Sequence, residues 1–112
     1  MAVPVLNRPL TLEASQDVPD AAGGFDRVWV ALGIVWGQLR PALGREVSAE
    51  THPMARMRYR ITVRSAPEGS AQRPTVAQRF RDGTRVFHIL SVQDRDDRGR
   101  YLTCLVEEEV VA

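Results

Sequence analysis

Between Arg56 and Arg64 the chain alternates without a break, with Met57, Tyr59, Ile61 and Val63 on odd positions and Arg56, Arg58, Arg60, Thr62 and Arg64 on even ones. A period of two marks a strand with one face buried and one in water; a helix cannot bury such a stripe, because its faces recur every 3.6 residues. So one-sided a strand needs a sheet around it, and the flanking sequence supplies candidates. Leu10 and Leu12 alternate with Thr11 and Glu13. Val28 to Leu32 and Ile34 to Leu39 are two β-branched runs, each with a tryptophan, which read as a hairpin divided at Gly33 and ended by Pro41. Val76 to Phe80, Arg85 to Val92 and Tyr101 to Val110 follow, divided by Asp82-Gly83 and by a turn from Asp94 to Gly99. Asp-Gly between alternating runs is a strong hairpin signal. Pro19, Asp20, Gly23 and Gly24 reverse the chain after the first run, through a fixed φ, a side-chain acceptor and residues free to take positive φ. These signals predict a mainly β fold, a small antiparallel β-barrel or sandwich of six to seven strands with one short helix or loop insertion.

That insertion is the stretch from about residue 42 to 56. A helix from Arg45 to Thr51 is too short to hold without packing on something, and Pro53 disfavours helical geometry at His52. Ser65 to Pro74, with Pro67, Gly69 and Ser70, reads as a mobile loop. A chain of 112 residues has room for one domain, expected to span 1–112, and buries about 60 to 65% of its unfolded surface without staples. Its 44% hydrophobic and 26% charged residues exclude wholesale disorder. The 15 basic residues are all arginine and face 14 acidic ones, so any electrostatic effect comes from local patterning and not from the sum. Cys104 stands alone and cannot form an internal disulfide, which suits assembly in a cytosol. The N-terminus reads as lacking a secretion signal, and no apolar run reaches the roughly 18 residues of a membrane span.

Catalytic and metal chemistry find little support. Asp94, Asp96 and Asp97 resemble a calcium loop, but Arg98 and Leu105 stand where ligands are required. His52, His88 and Cys104 are too few and too scattered for a closed zinc site. Cys104 and His88 could be drawn as a thiolate pair, yet Cys104 lies among Leu102, Leu105 and Val106, where a small hydrophobe belongs. No nucleophile elbow, phosphate-cradling loop or zinc-protease motif occurs. The expectation is a protein that is not an enzyme and takes neither cofactor nor metal.

Recognition chemistry has more material. Arg56, Arg58, Arg60 and Arg64 project from one side of a strand over about 27 Å. They can pair across strands with Glu107 and Glu109, bind a neighbouring subunit, or contact phosphate through the planar guanidinium fork. The last option is the alternative reading, a small nucleic-acid-binding β-barrel; no aromatics interleave these arginines to stack bases. Trp29 shares parity with Val35 and Leu39, Trp36 with Val28, Val30 and Ile34, so burying both rings together is hard and one is expected to face a neighbour.

The spacing of Gly23-Gly24-Phe25, Trp29, Val35-Trp36 and Leu39-Arg40-Pro41 resembles the head-tail joining proteins of tailed bacteriophages, also called head-closure, stopper or adaptor proteins. The resemblance continues through Leu10 to Glu13, Gly44-Arg45-Glu46, Tyr59 to Arg64, Arg85 to Val92 and Leu102 to Glu108, nearly the whole chain. It implies a structural part of the virion neck, assembled in the bacterial cytoplasm, in a phage or a gene transfer agent. It implies a homo-oligomeric ring, a hexamer, with the portal and its adaptor ring above and a tail terminator or tail tube below. Packaged double-stranded DNA would pass through without sequence-specific contacts, and no membrane is involved. On this reading Trp29, Trp36, Arg40, Arg58 and Arg60 meet a subunit or a neighbouring ring, while Arg45, Glu46, Glu50 and His52 belong to a segment that lines or gates the channel.

Overall fold

A computed structural model describes residues 3–42 and 57–109 of the chain. The described residues form six strands: β1 (Arg8–Pro19), β2 (Phe25–Pro41), β3 (Arg58–Arg64), β4 (Arg79–Asp82), β5 (Arg85–Asp94) and β6 (Tyr101–Glu108). Every pairing is antiparallel, and the order β1-β2-β3-β6-β5-β4 closes on itself as a barrel. Closure comes from short β4, whose Arg81, Phe80 and Arg79 pair with Thr11, Leu12 and Glu13 of β1. Among the described residues there is no helix. The helix expected from Arg45 to Thr51, and with it Glu46, Glu50, His52 and Arg56, lies outside the described residues.

The alternation read in the sequence becomes the barrel wall. Leu10 and Leu12 of β1, Ile61 and Val63 of β3, Phe80, Phe87, Leu102, Cys104 and Val106 are all fully buried in one core cluster. Full burial of a side chain of this size stabilises by about 1.5 to 3 kcal/mol. Gly37 of β2 is where the wall is thinnest, since a Cβ there would stand 3.1 Å from Leu10 Cδ1 and 3.2 Å from both Ile61 Cγ2 and the Thr62 carbonyl oxygen. Cys104 fills a hydrophobic position, and burial pushes its thiol up to about 12.

Three local expectations are corrected. The two tryptophan runs are one strand, because β2 passes through Gly33 without turning. Glycine there serves a β-bulge: Leu12 pairs with Gly33 but the next residue, Glu13, pairs with Ala31, and Gly33 takes φ +146°, a conformation nearly restricted to glycine. The hairpin is instead β1–β2, and its turn is the one expected from Pro19 to Gly24. Asp20 Oδ1 accepts hydrogen bonds from the Ala22 and Gly24 amides at 2.8 and 2.9 Å, which hold its carboxyl below the usual range. Lastly, Val76 to Gln78 is not strand. A turn stands there, closed by Gln78 N–H to the Thr75 carbonyl with Ala77 at φ +78°, and β4 begins only at Arg79.

The expected loop from 65 to 75 carries its own hydrogen bonds, with Arg73 Nη1 donating to the Ala66 carbonyl at 2.9 Å and the Ser70 amide to that of Pro67 at 3.0 Å. At the far end of the barrel β1 and β2 outrun their neighbours. Among the described residues, Ala14–Pro19 and Phe25–Val30 pair only with each other, a two-stranded ribbon continuing past the barrel.

Candidate functional site

The bulge decides what the outer surface presents. Paired residues share a face of a sheet, so Ile34 and Trp36 lie with Thr11 and Pro9, while Trp29 and Ala31 lie with Ser15 and Glu13. Odd positions of β1 form one face, so both tryptophans stand on the outside of the wall despite their opposite parity in sequence. Their surroundings differ. Trp29 is half-buried, with the Arg79 guanidinium 4.1 Å above its ring centroid and the His88 ring edge-on at 6.0 Å. Trp36 is 53% exposed, beside Ile34 at 66%. Val28, Val30 and Leu32 of the same strand are exposed as well, as is Phe25. So many exposed apolar side chains along 12 residues of one strand, spread over both its faces, are more than the scattered exposed hydrophobics of an ordinary monomer.

Beneath Trp29 lies a cluster that the sequence did not disclose. Glu13 is 1% exposed and takes Arg79 Nε on Oε1 at 2.7 Å and Arg81 Nη2 on Oε2 at 2.5 Å. Burial pushes its carboxyl up, but the hydrogen bonds and charges of both arginines outweigh that and hold it below the ordinary value. The register continues the row around the wall: Glu13 faces Arg79, Arg79 faces His88, His88 faces Glu107, and Glu107 faces Arg58. Arg58 Nε bonds Glu107 at 3.2 Å, and His88 Nε2 lies 3.0 Å from Glu109. The glutamate pairing expected for the arginine face is therefore present at Arg58. The available signal was the Arg79-Phe80-Arg81 alternation, which sets two guanidiniums on one side of a buried phenylalanine.

Arg40 and Arg60 are paired in register on β2 and β3, and both are exposed. With Arg95, Gln38, Thr62 and Pro4 they line an open outer groove. The structure thus brings Arg40 and Arg60 together, sets Arg58 apart in its ion pair, and leaves Trp29 and Trp36 on one face but in separate contacts. At the barrel mouth Arg85 holds Glu108 through two hydrogen bonds of 2.8 and 3.1 Å and lies over the Phe87 and Tyr59 rings. Bonding to Arg85 lowers the Glu108 carboxyl below its usual range. Among the described residues no three metal-ligating side chains gather, and no helix is long and apolar enough to cross a membrane.

Among the described residues the outer surface is thus apolar along β2 and ion-paired around Glu13, Glu107 and Glu108. The family model of the phage head completion protein matches residues 1–109. The chain belongs to that family. It is similar, at 46% identity and a TM-score of 0.80, to a chain from the virion of a native gene transfer agent particle, over 98% of this chain and 100% of that one. Among curated proteins, none matches. Head completion proteins are structural parts of the head, and among the described residues of this member the exposed stretch of β2 and the open groove beside Arg40 and Arg60 face solvent.

Proposed function

We propose that this head completion protein is a neck component of a phage or gene transfer agent particle, forming a ring that closes the DNA-filled head and joins it to the tail. The observation that carries the proposal is the exposed apolar stretch of β2, with Val28 and Val30 on one face and Ile34 and Trp36 on the other, in a chain whose family completes heads. Exposed apolar and aromatic side chains are the material of interface centres. The ring is a hexamer with the portal or its adaptor on one side and the tail terminator or tail tube on the other, and its role is structural rather than catalytic. Packaged DNA passes through it, and the segment from Ala42 to Arg56, with Arg45, Glu46, Glu50 and His52, lines the passage; Glu46 and Glu50 would keep DNA phosphates from sticking.

Deleting the gene from a particle-producing strain tests the reading. Heads that package DNA, lose it and lack tails are expected, with full, tailed particles restored by the intact chain. Normal particles without the chain would overturn it. Restoring the chain with residues 49–54 removed separates gate from ring: tailed but leaking particles are expected, and full ones would remove the gate role alone.

A further inference from the structure

The ribbon has two open edges. Among the described residues, β2 from Phe25 to Trp36 pairs with β1 alone, and β1 from Ala14 to Pro19 pairs with β2 alone. Each edge carries backbone N–H and C=O groups that a further strand can take up. Proteins blunt such edges with proline or charge, yet β2 has only Asp26 and Arg27 over these 12 residues and no proline.

We propose that the ribbon of one copy joins edge to edge with the ribbon of the next, the open edge of β2 pairing antiparallel with the open edge of β1 from a second copy of this chain. The inference rests on the ring reading and specifies the contact that builds the ring. Rotation about an axis along the ribbon preserves strand direction, so β1, β2 and the next copy's β1 run up, down and up, the pairing of the hairpin itself. The two edges differ, so the contact is head-to-tail, the type that closes into a ring. Rotation also keeps heights. Asp17 and Arg27, partners within one hairpin and both exposed, then meet again across each junction, giving a belt in which charge alternates around the ring. Gln16 meets Val28 and Ala14 meets Val30 in the same way, covering valines that the single chain leaves exposed. Strand addition of this kind takes its adhesion from the backbone and its register from side chains.

Separate chains carrying Gln16→Cys and Val28→Cys, produced together in the particle-forming strain, test the junction. Residues 16 and 28 face each other within one hairpin, so placing each cysteine on its own chain ensures that a disulfide reports a neighbour. Cys104, fully buried with a thiol pushed up to about 12, does not compete. Disulfide-linked dimers with one chain of each kind are expected in purified particles, at least tenfold above a control pairing Gln16→Cys with Gln93→Cys. Asp17→Arg should lower incorporation about tenfold and Asp17→Arg with Arg27→Asp should restore it. If a ring of this chain is seen at the neck by electron microscopy but no mixed dimers form, the ribbon contact is overturned and the ring reading stands. No ring of this chain at the neck overturns both.

Discussion

Strands β1 and β2 each live two lives. In the barrel half, Leu10 and Leu12 are fully buried while Thr11 and Glu13 face outward, and the wall continues on both sides. In the ribbon half, Val28 and Val30 remain 39% and 40% exposed, although they belong to a run, Val28 to Leu32, that is apolar throughout. The difference teaches that apolar strand residues specify a strand but not what covers it. Coverage depends on how many strands lie alongside. Where four others close the barrel, apolar residues become core; where β1 and β2 run on alone, the same residue types become surface.

The comparison is easiest to break at the core. Phe80→Ala should lower folding stability by about 3 to 5 kcal/mol in a denaturant titration, because Phe80 is fully buried and sits on the strand that closes the barrel. A loss below about 1 kcal/mol would mean that the barrel half is no better packed than the ribbon.

Next in size is Glu13, where barrel and ribbon meet. Glu13→Gln leaves Arg79 and Arg81 without their buried counter-charge and should cost about 3 kcal/mol. Its carboxyl is held below the ordinary value of 4.5 in the fold, so its contribution is fully present above that pH and is lost as the pH falls through the lower folded value. Thermal melts across pH 3 to 7 should show wild-type stability falling at the acid end and a flatter profile for the variant. Parallel profiles would remove Glu13 from the account.

Gly33→Val should cost about 1 to 3 kcal/mol, since φ +146° is open to glycine but strained for valine, while a Cβ there meets nothing within 4 Å. Hydrogen exchange should place the loss of protection in Ala14–Pro19 and Phe25–Val30, with the core strands spared. Uniform loss would show that ribbon and barrel unfold as one unit.

The smallest effect on the fold is expected at Trp36. Trp36→Ala should change stability by no more than about 0.5 kcal/mol, because the ring is half in water. The same variant should weaken docking to its neighbour in the particle by about 2 kcal/mol or more, read as reduced incorporation in competition with wild type. A stable variant that incorporates normally would leave the comparison intact but take Trp36 out of the interface.

Much of this was legible beforehand. The barrel, β3, the Asp82-Gly83 turn and an outward tryptophan follow from alternation and turn chemistry, which act over a few residues; pairing with Glu107 was one of several readings open for the arginine face, and the sheet that sets Arg58 beside Glu107 decided it. Gly33 shows where that reading fails: a glycine between two β-branched runs is the same local signal whether it makes a turn or a bulge, and only the partner strand, skipping from Gly33 to Ala31, decides. Glu13 fails in the same way. Its outward position was correct, but its burial comes from Arg79 and Arg81, 66 and 68 residues away, brought beside it by closure of the barrel.

Sequence by itself determined the β class, strands β3, β5 and β6, the inward and outward faces of β1 and β3, the turn at Asp20 and the family, because each rests on residues close together in the chain or on their order along it. Tertiary structure alone decided that β1 and β2 outrun the barrel, that a bulge sets both tryptophans on one face, and that Glu13 becomes a buried charge. Those outcomes depend on which strands end up side by side and for how long, a property of the closed sheet that no single strand carries.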